Sequence, residues 1–423
     1  MGHVDALSRT TTGASIEALR TGVARLAETC VRGGGLPLRI VLPDQSRFDL
    51  GVSPRVILRV TDPALLTDLA APSLGALGDA FIEGRLEIDG DLLEALPLGE
   101  RLVEAGGSSV AQRMLQAWRR HRRGDDRSAI GYHYDVGDDF YRLWLDERMV
   151  YSCAYFRTGA ESIEDAQVAK LDHVCRKLRL APGERFLDIG CGWGALAMHA
   201  VQHYGVRAVG ITLSKNQAQH ADQRVRRAGL QDRIEILLLD YRDLPRRFAG
   251  GTFDKIASIG MFEHVGVRNL PDYFDTIAAM LRDRGLFLNH GITSADVDSR
   301  PVGSGVSEFI SRHVFPRGEL THLHVAVQSM SAAGLEIADI ESLRPHYART
   351  LALWYRRLER RSVEAASLVA PRTLRTWRIY LAGCSYGFER GWINIYQLLG
   401  SRQRAPGPTQ LPLTREWIYP KDS

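Results

Sequence analysis

Glu263 and His264 stand out first among the residues able to do chemistry. They lie in "SIGMFEHVG" (258–266), directly after an apolar run (Phe253, Ile256, Ala257, Ile259) that reads as a buried strand and stops at Gly260. In an open α/β sheet, ligands bind outside the C-terminal ends of the strands. A carboxylate delivered to such an edge needs a partner, because an unpaired buried charge is costly.

A second constellation lies upstream. In "RFLDIGCGWGALAMHAV" an apolar strand runs to Asp188, a turn carries Gly190, Gly192 and Gly194, and an apolar-periodic helix begins. Glycines suit a backbone that must turn sharply and approach a ligand. In dinucleotide enzymes such a helix start faces a pyrophosphate. Two features disfavour NAD. The spacing is GxGxG rather than GxGxxG, and the next strand, in "AVGITLSKNQ" (208–217), ends in Thr-Leu-Ser without the acid that would hold a ribose diol. The Asp-x-Gly-x-Gly-x-Gly form suits S-adenosyl-L-methionine (SAM), which brings an ammonium and a sulfonium and no phosphate. A tight turn without cofactor is the plainer alternative.

These groups need elements to position them. Strands are expected at 184–189, 207–211, 233–238, 253–259 and 284–290, with a helix over 162–179 and helical patterns between the strands. That alternation predicts a parallel sheet covered on both faces. A mostly helical stretch is expected over 303–399, followed by a Pro-rich, extended tail (401–423). Ahead of the sheet, residues 14–30 read as a helix and 36–51 as two short strands around a Pro-Asp turn. "RVILRV" reads as a strand, "DPALLTDLA" as a helix with Asp62 at its N-cap and Pro63 at its first position, and "GRLEIDGDL" as a strand and turn. Residues 1–110 thus form a small α+β unit without a catalytic constellation, whose default role is binding or scaffolding. No internal repeat is present.

The bulk properties narrow the class. The chain has 423 residues, 45% hydrophobic and 25% charged, an ordinary globular composition long enough for two or three domains. Net charge is only +4, but "AWRRHRRGDDR" (117–127) concentrates arginines in a linker over 111–127. It reads as a solvated linker or as a contact for phospholipid headgroups, where each basic residue is worth roughly 1 kcal/mol. Five scattered cysteines (Cys30, Cys153, Cys175, Cys191, Cys384) without a CxxC pair argue against a disulfide framework or a zinc site and fit a reducing cytosol. No signal pattern and no run of about 20 apolar residues is seen. A cytoplasmic protein, peripheral at the inner membrane face, is the expectation.

Taken together, "HYDVGDDFYRLWLD", "YSCAYF", "LDIGCGWG", "GITLSKNQ", "DYRDL", "SIGMFEHVG", "LNHGITS" and "LRPHYARTLALWYRRL" resemble one family over roughly 128–390. It is that of the cyclopropane-fatty-acyl-phospholipid synthases and the related mycolic-acid cyclopropane synthases and methyltransferases. The resemblance implies a Rossmann-like SAM-dependent methyltransferase fold of α/β class with added helices over 128–400, behind the small N-terminal α+β domain. Residues 1–105 fit the N-terminal domain of the bacterial phospholipid enzymes more loosely. The mycolic-acid enzymes lack such a domain, which favours the phospholipid branch.

The implied activity is transfer of the SAM methyl carbon to the cis double bond of an unsaturated phospholipid acyl chain, closing a cyclopropane ring. By the same resemblance the SAM pocket takes Tyr151 and Ser152, then Phe186, Leu187, Asp188, Ile189, Gly190, Cys191, Gly192, Trp193 and Gly194 of the glycine loop. It continues with Thr212, Leu213, Ser214, Lys215, Asn216 and Gln217, and with Tyr241 and Arg242. Thr212 and Gln217 would serve the ribose, and Tyr241 the adenine. A bicarbonate ion is implied as the base, held by Cys153, Glu263, His290, Ile292 and Tyr347. Cys384 matches a cysteine proposed as a nucleophile, although direct transfer from SAM needs no covalent intermediate, and a packing role is preferred.

Aromatic residues at Tyr132, Tyr134, Phe140, Tyr141, Trp144, Tyr151, Tyr155 and Phe156 suit a dry chamber that tolerates a cation, though core packing accounts for many of them. Asn289 and Gly291 stand where relatives often carry an apolar residue and Thr. The alternatives are a lipid C-methyltransferase giving a methyl-branched or methylene product, an N- or O-methyltransferase on a small molecule, and a lipid-binding membrane-surface protein without catalysis. No nucleic-acid partner is expected; a homodimer is a family-level expectation.

Overall fold

The computed structural model describes residues 2–65, 73–105, 136–298, 320–403, 407–409 and 411–419. It divides into two compact units, one of residues 1–140, 302–316 and 354–387, the other of 141–301, 317–353 and 388–423.

The first unit is built on a four-stranded sheet in the order β2-β1-β3-β4, from β1 (Leu38–Val41), β2 (Arg47–Asp49), β3 (Val56–Val60) and β4 (Leu86–Asp89). β1 pairs antiparallel with β2 and parallel with β3. The alternation of β3 buries Val56, Leu58 and Val60 and exposes Arg59, the pattern of a half-covered sheet. Helix Leu74–Ile82 starts at Ser73, whose hydroxyl accepts the Ala76 N–H. The expected helix after Asp62 is a 3-10 turn, Pro63–Leu65, and its continuation at 66–72 lies outside the described residues. Residues 354–387, placed by sequence with the catalytic sheet, cluster here instead. The Leu92 N–H donates to Tyr355 Oη at 2.9 Å, Arg375 pairs with Glu87, and Tyr386 donates to Glu100.

The second unit carries a seven-stranded sheet in the order β10-β11-β9-β8-β5-β6-β7. Its strands are β5 (Arg185–Ile189), β6 (Arg207–Thr212), β7 (Ile234–Leu238), β8 (Phe253–Ile259), β9 (Leu281–Ser294), β10 (Leu335–Ser342) and β11 (Ile393–Arg402). β5 to β9 run parallel to one another; β11, beside β9, and β10, beside β11, are antiparallel additions. The five expected strands are present, with β9 longer at both ends. The helical expectation for 303–399 is corrected, since β10 and the start of β11 fall inside it.

Both faces of this sheet are covered. Phe186, Ala257, Leu288 and Leu399 pack with helices Ile163–Lys177 and Ala195–Tyr204 on one side. Leu187, Ile256, Phe287 and Leu398 pack with helices Leu270–Met280 and Leu323–Ala332 on the other. β6 lies on one side of β5 and β8 on the other, so the strand order reverses at β5. In open sheets of this kind ligands bind at such a reversal, beyond the strand ends.

Candidate active site

The turn after β5 lies at that reversal. Gly190, Gly192 and Gly194 have φ of +77°, +53° and +81°, values that side chains rarely accept. The Gly190 and Cys191 N–H groups both donate to Ile211 O at 2.9 Å, tying the turn to β6. A Cβ on Gly190 would stand 3.2 Å from Met261 Cβ, so the glycine turn and the segment carrying Glu263 are in contact. Asp188 is buried, and burial pushes its pKa up to about 7, with nearby Lys170 opposing. Its Oδ2 has no hydrogen-bond partner among the described residues. A buried acid with an orphaned oxygen beside an open glycine turn fits a cationic cofactor such as SAM. Trp193 packs edge-on to Tyr141 at 5.3 Å, and Tyr141, Trp144 and Tyr151 pack ring against ring at 5.4–5.6 Å.

β6 ends at Thr212, whose hydroxyl donates to Gln217 Oε1 at 2.9 Å. Ser214 caps helix Lys215–Arg227 through the Gln217 N–H. Leu213, Lys215 and Asn216 are exposed. After β7, Tyr241 is half-buried, edge-on to Tyr273 at 5.1 Å, and Arg242 is exposed and paired with Asp240.

The segment Tyr151–Phe156 is strapped between two helices. From helix Ile163–Lys177, Gln167 Nε2 donates to Ser152 O and Lys170 Nζ to Ser152 Oγ, both at 2.9 Å. The Ala154 N–H donates to Thr350 Oγ1 at 3.1 Å and the Phe156 N–H to His346 Nδ1 at 3.0 Å. Both acceptors belong to helix Arg344–Arg360. The buried Cys153 thiol reaches Leu343 O at 3.9 Å, and the Tyr347 N–H donates to that same carbonyl at 3.0 Å. Cys153 thus meets the start of the helix that carries Tyr347. Burial pushes the Cys153 thiol far up, so it is present as SH. Tyr155 stacks between His173 and His346 at 4.2 and 4.8 Å.

Glu263 sits on a 3-10 turn, Phe262–His264, directly after β8; its side chain is buried while His264 is exposed. The Ile292 N–H donates to Glu263 Oε1 at 2.6 Å, and Oε2 has no partner among the described residues. The Ile292 amide, read as an anion ligand, is engaged by Glu263 itself. Burial raises the Glu263 pKa to about 7 against the pull of that N–H. Two residues before Ile292, the buried His290 meets Gln397 Nε2 through Nδ1 at 3.2 Å, and its Nε2 has no partner among the described residues. Glu263 Oε2 and His290 Nε2 are each a buried polar atom without a partner among the described residues, the kind of group that a small polar ligand would satisfy.

Gly291 separates these residues for a packing reason. A Cβ there would overlap the Phe262 ring. Asn289 points to the opposite face of β9, buried, with neither amide atom paired among the described residues. Cys384, on helix Pro371–Arg390, belongs to the first unit, and burial pushes its thiol far up. Phe140 also belongs there, packed on Trp377 at 5.7 Å. Tyr132, Tyr134 and the arginine run 117–127 lie outside the described residues. Among the described residues no cluster has metal-ligand character and no helix is long and apolar enough to cross a membrane.

Sequence reasoning missed Lys170, Gln167 and Gln397. The first two had a signal: they fall on the apolar stripe of helix Ile163–Lys177, with Ala166, Leu171 and Val174, where a polar side chain needs a reason.

The chain is similar to known proteins over most of its length. Residues 121–398 match the family model described as mycolic acid cyclopropane synthetase. A probable fatty acid methyltransferase of Pseudomonas putida is 50% identical over 91% of this chain and 96% of its own. The cyclopropane-fatty-acyl-phospholipid synthase of Escherichia coli strain K12 is 39% identical over 64% of this chain and 66% of its own. The crystal structure of mycolic acid cyclopropane synthase CmaA1 complexed with SAH and CTAB superposes with a TM-score of 0.60 at 35% identity, covering 66% of this chain and 99% of that one.

Proposed function

Because the chain belongs to the mycolic acid cyclopropane synthetase family of SAM-dependent methyltransferases, we propose that it adds the methyl carbon of SAM to the cis double bond of an unsaturated phospholipid acyl chain and closes a cyclopropane ring. The observation that carries this reading is the buried Glu263, with one oxygen held by Ile292 and the other unpaired, on a segment touching the glycine turn.

SAM supplies an electrophilic methyl group when bound. Asp188 and the turn through Gly194 receive its charged end, Thr212 and Gln217 its ribose, and Tyr241 its adenine. An alkene that captures a methyl becomes a carbocation, and ring closure requires loss of a proton from the new carbon. The chain therefore has to exclude water and face the cation with electron density. Tyr141, Trp144, Tyr151 and Trp193 do the first, and each aromatic face contributes about 0.5–2 kcal/mol to the second. Preorganised electrostatics supplies the main stabilisation. Bicarbonate, held by Cys153, Glu263, His290 and Tyr347, would supply the base. Glu263 Oε2 accepts that ion's hydrogen and leaves its negative charge toward the cation.

Residues 1–110 and the basic run 117–127 would serve docking on the inner face of the membrane, and two copies would associate. A second reading, a lipid C-methyltransferase whose product keeps a methyl branch or a methylene, is favoured by the name carried by the Pseudomonas putida relative.

The test is product analysis after incubation with SAM, bicarbonate and vesicles of cis-monounsaturated phospholipid. Acyl chains should gain one CH₂, lose the alkene signals and show upfield ring protons by NMR. New vinyl signals, or a methyl branch formed with added reductant, would support the second reading. SAM binding without any mass gain would overturn both.

A further inference from the structure

We propose that Gln397 is a positioning residue that fixes His290 as its Nε2–H tautomer, so that the imidazole turns a hydrogen-bond donor, and no lone pair, toward a small anion. This rests on the reading that His290 faces bound bicarbonate, and deepens it.

The sheet brings the two residues together. β9 and β11 are antiparallel neighbours with His290 opposite Gln397, and the flanking Leu288 and Leu399 place both on the face covered by helix Ile163–Lys177. Both side chains are fully buried. Gln397 Nε2 stands 3.2 Å from His290 Nδ1. With the amide nitrogen toward the ring, and Gln397 Oε1 without a partner among the described residues, Nδ1 accepts and presents its lone pair. A neutral imidazole carries one N–H, which then lies on Nε2. The ring is neutral: burial first, and then Lys170, Lys177 and His173, press its pKa well below the usual value, with Glu341 opposing. The three cationic or titratable groups lie on the covering helix, and Glu341 lies on β10 opposite Gln397.

The consequence is at the other nitrogen. Nε2 is buried and has no partner among the described residues, so its hydrogen awaits an acceptor. With the Gln397 amide turned round, Oε1 would take an Nδ1 hydrogen and Nε2 would face the anion with a lone pair, which repels it. The orientation of one side-chain amide thus decides whether His290 attracts or rejects the ion.

The test is nitrogen NMR on the full-length protein with ¹⁵N-labelled histidine, the His290 signals being those missing in His290→Asn. Wild type should show Nε2 protonated and Nδ1 unprotonated, without titration between about pH 6 and 8. Sodium bicarbonate, but not sodium chloride, should shift the Nε2 signal. Gln397→Glu should move the proton to Nδ1, and Gln397→Met should give a mixture. Both should raise the bicarbonate concentration for half-maximal turnover roughly ten- to hundredfold, as loss of an outer partner of a ligating histidine does, with SAM affinity unchanged. An Nδ1–H tautomer in wild type, or an unaltered tautomer in Gln397→Met, overturns the proposal. The predicted tautomer with signals and turnover indifferent to bicarbonate would sink the anion reading and the consequence drawn from it, while the Gln397–His290 relationship would stand.

Discussion

The Ile292 N–H donates to Glu263 Oε1 at 2.6 Å, while Oε2 of the same carboxyl, equally buried, has no partner among the described residues. One half of the group is a structural clamp between the turn after β8 and the end of β9. The other half is available to a ligand. The clamp holds the acid in place without using up its capacity to accept a hydrogen, on a segment that touches the glycine turn.

The buried carboxyl leaves a mark on stability. Its pKa is near 7 in the folded chain and near the ordinary 4.5 when unfolded. Between those values the unfolded chain releases a proton that the folded chain keeps, so stability falls as pH rises from about 4.5 to 7. Glu263→Gln keeps the Ile292 clamp and removes this loss. Denaturant unfolding should show the variant gaining on wild type by up to about 3 kcal/mol between pH 5 and pH 8. A constant difference across that range would mean that the carboxyl is ionised in the folded state.

Gly291 is required by the Phe262 ring, not by its own backbone angles. Gly291→Ala should displace Phe262 and with it the turn bearing Glu263. A loss of about 1–3 kcal/mol in stability is expected, with a fall in turnover larger than any fall in SAM affinity. Unchanged turnover at reduced stability would show that the turn tolerates the shift.

Lys170 holds Ser152 and lies close to Asp188 and Cys153, with its pKa lowered to about 8 by burial against the pull of Asp146, Cys153 and Asp188. Lys170→Met fills the same space without charge or donor. SAM affinity should fall roughly tenfold, the value of one hydrogen bond to a charged group. Wild-type affinity in calorimetric titration would assign Lys170 to packing alone.

Cys384 is a buried thiol that burial keeps protonated. Cys384→Ala should retain most of the turnover on vesicles. Loss of turnover with SAM binding intact would restore the nucleophile to the mechanism.

What the sequence disclosed follows from where the signal was local. β5 to β8 read as apolar runs bounded by turns, and the glycine turn declared itself by spacing. β11 did not, because "INIYQLLGSR" follows a long helix and its apolar residues suit either period; the break is Gly391, at φ +73°. β10 was hidden by acids within its run, Glu336, Asp339 and Glu341. Glu263 stood out locally, as an acid at the end of an apolar run, whereas His290 and Cys153 were named through a family pattern. The Gln397–His290 pair, 107 residues apart, could not be read locally, since only strand pairing brings its members together.

The most direct measurement is the paired turnover and SAM affinity of Glu263→Gln on vesicles of cis-monounsaturated phospholipid. Cyclopropane product should fall by roughly 10²–10⁴-fold while the SAM dissociation constant stays within about twofold of wild type. Turnover and affinity falling together, or turnover unchanged, would contradict a role for Glu263 in proton removal.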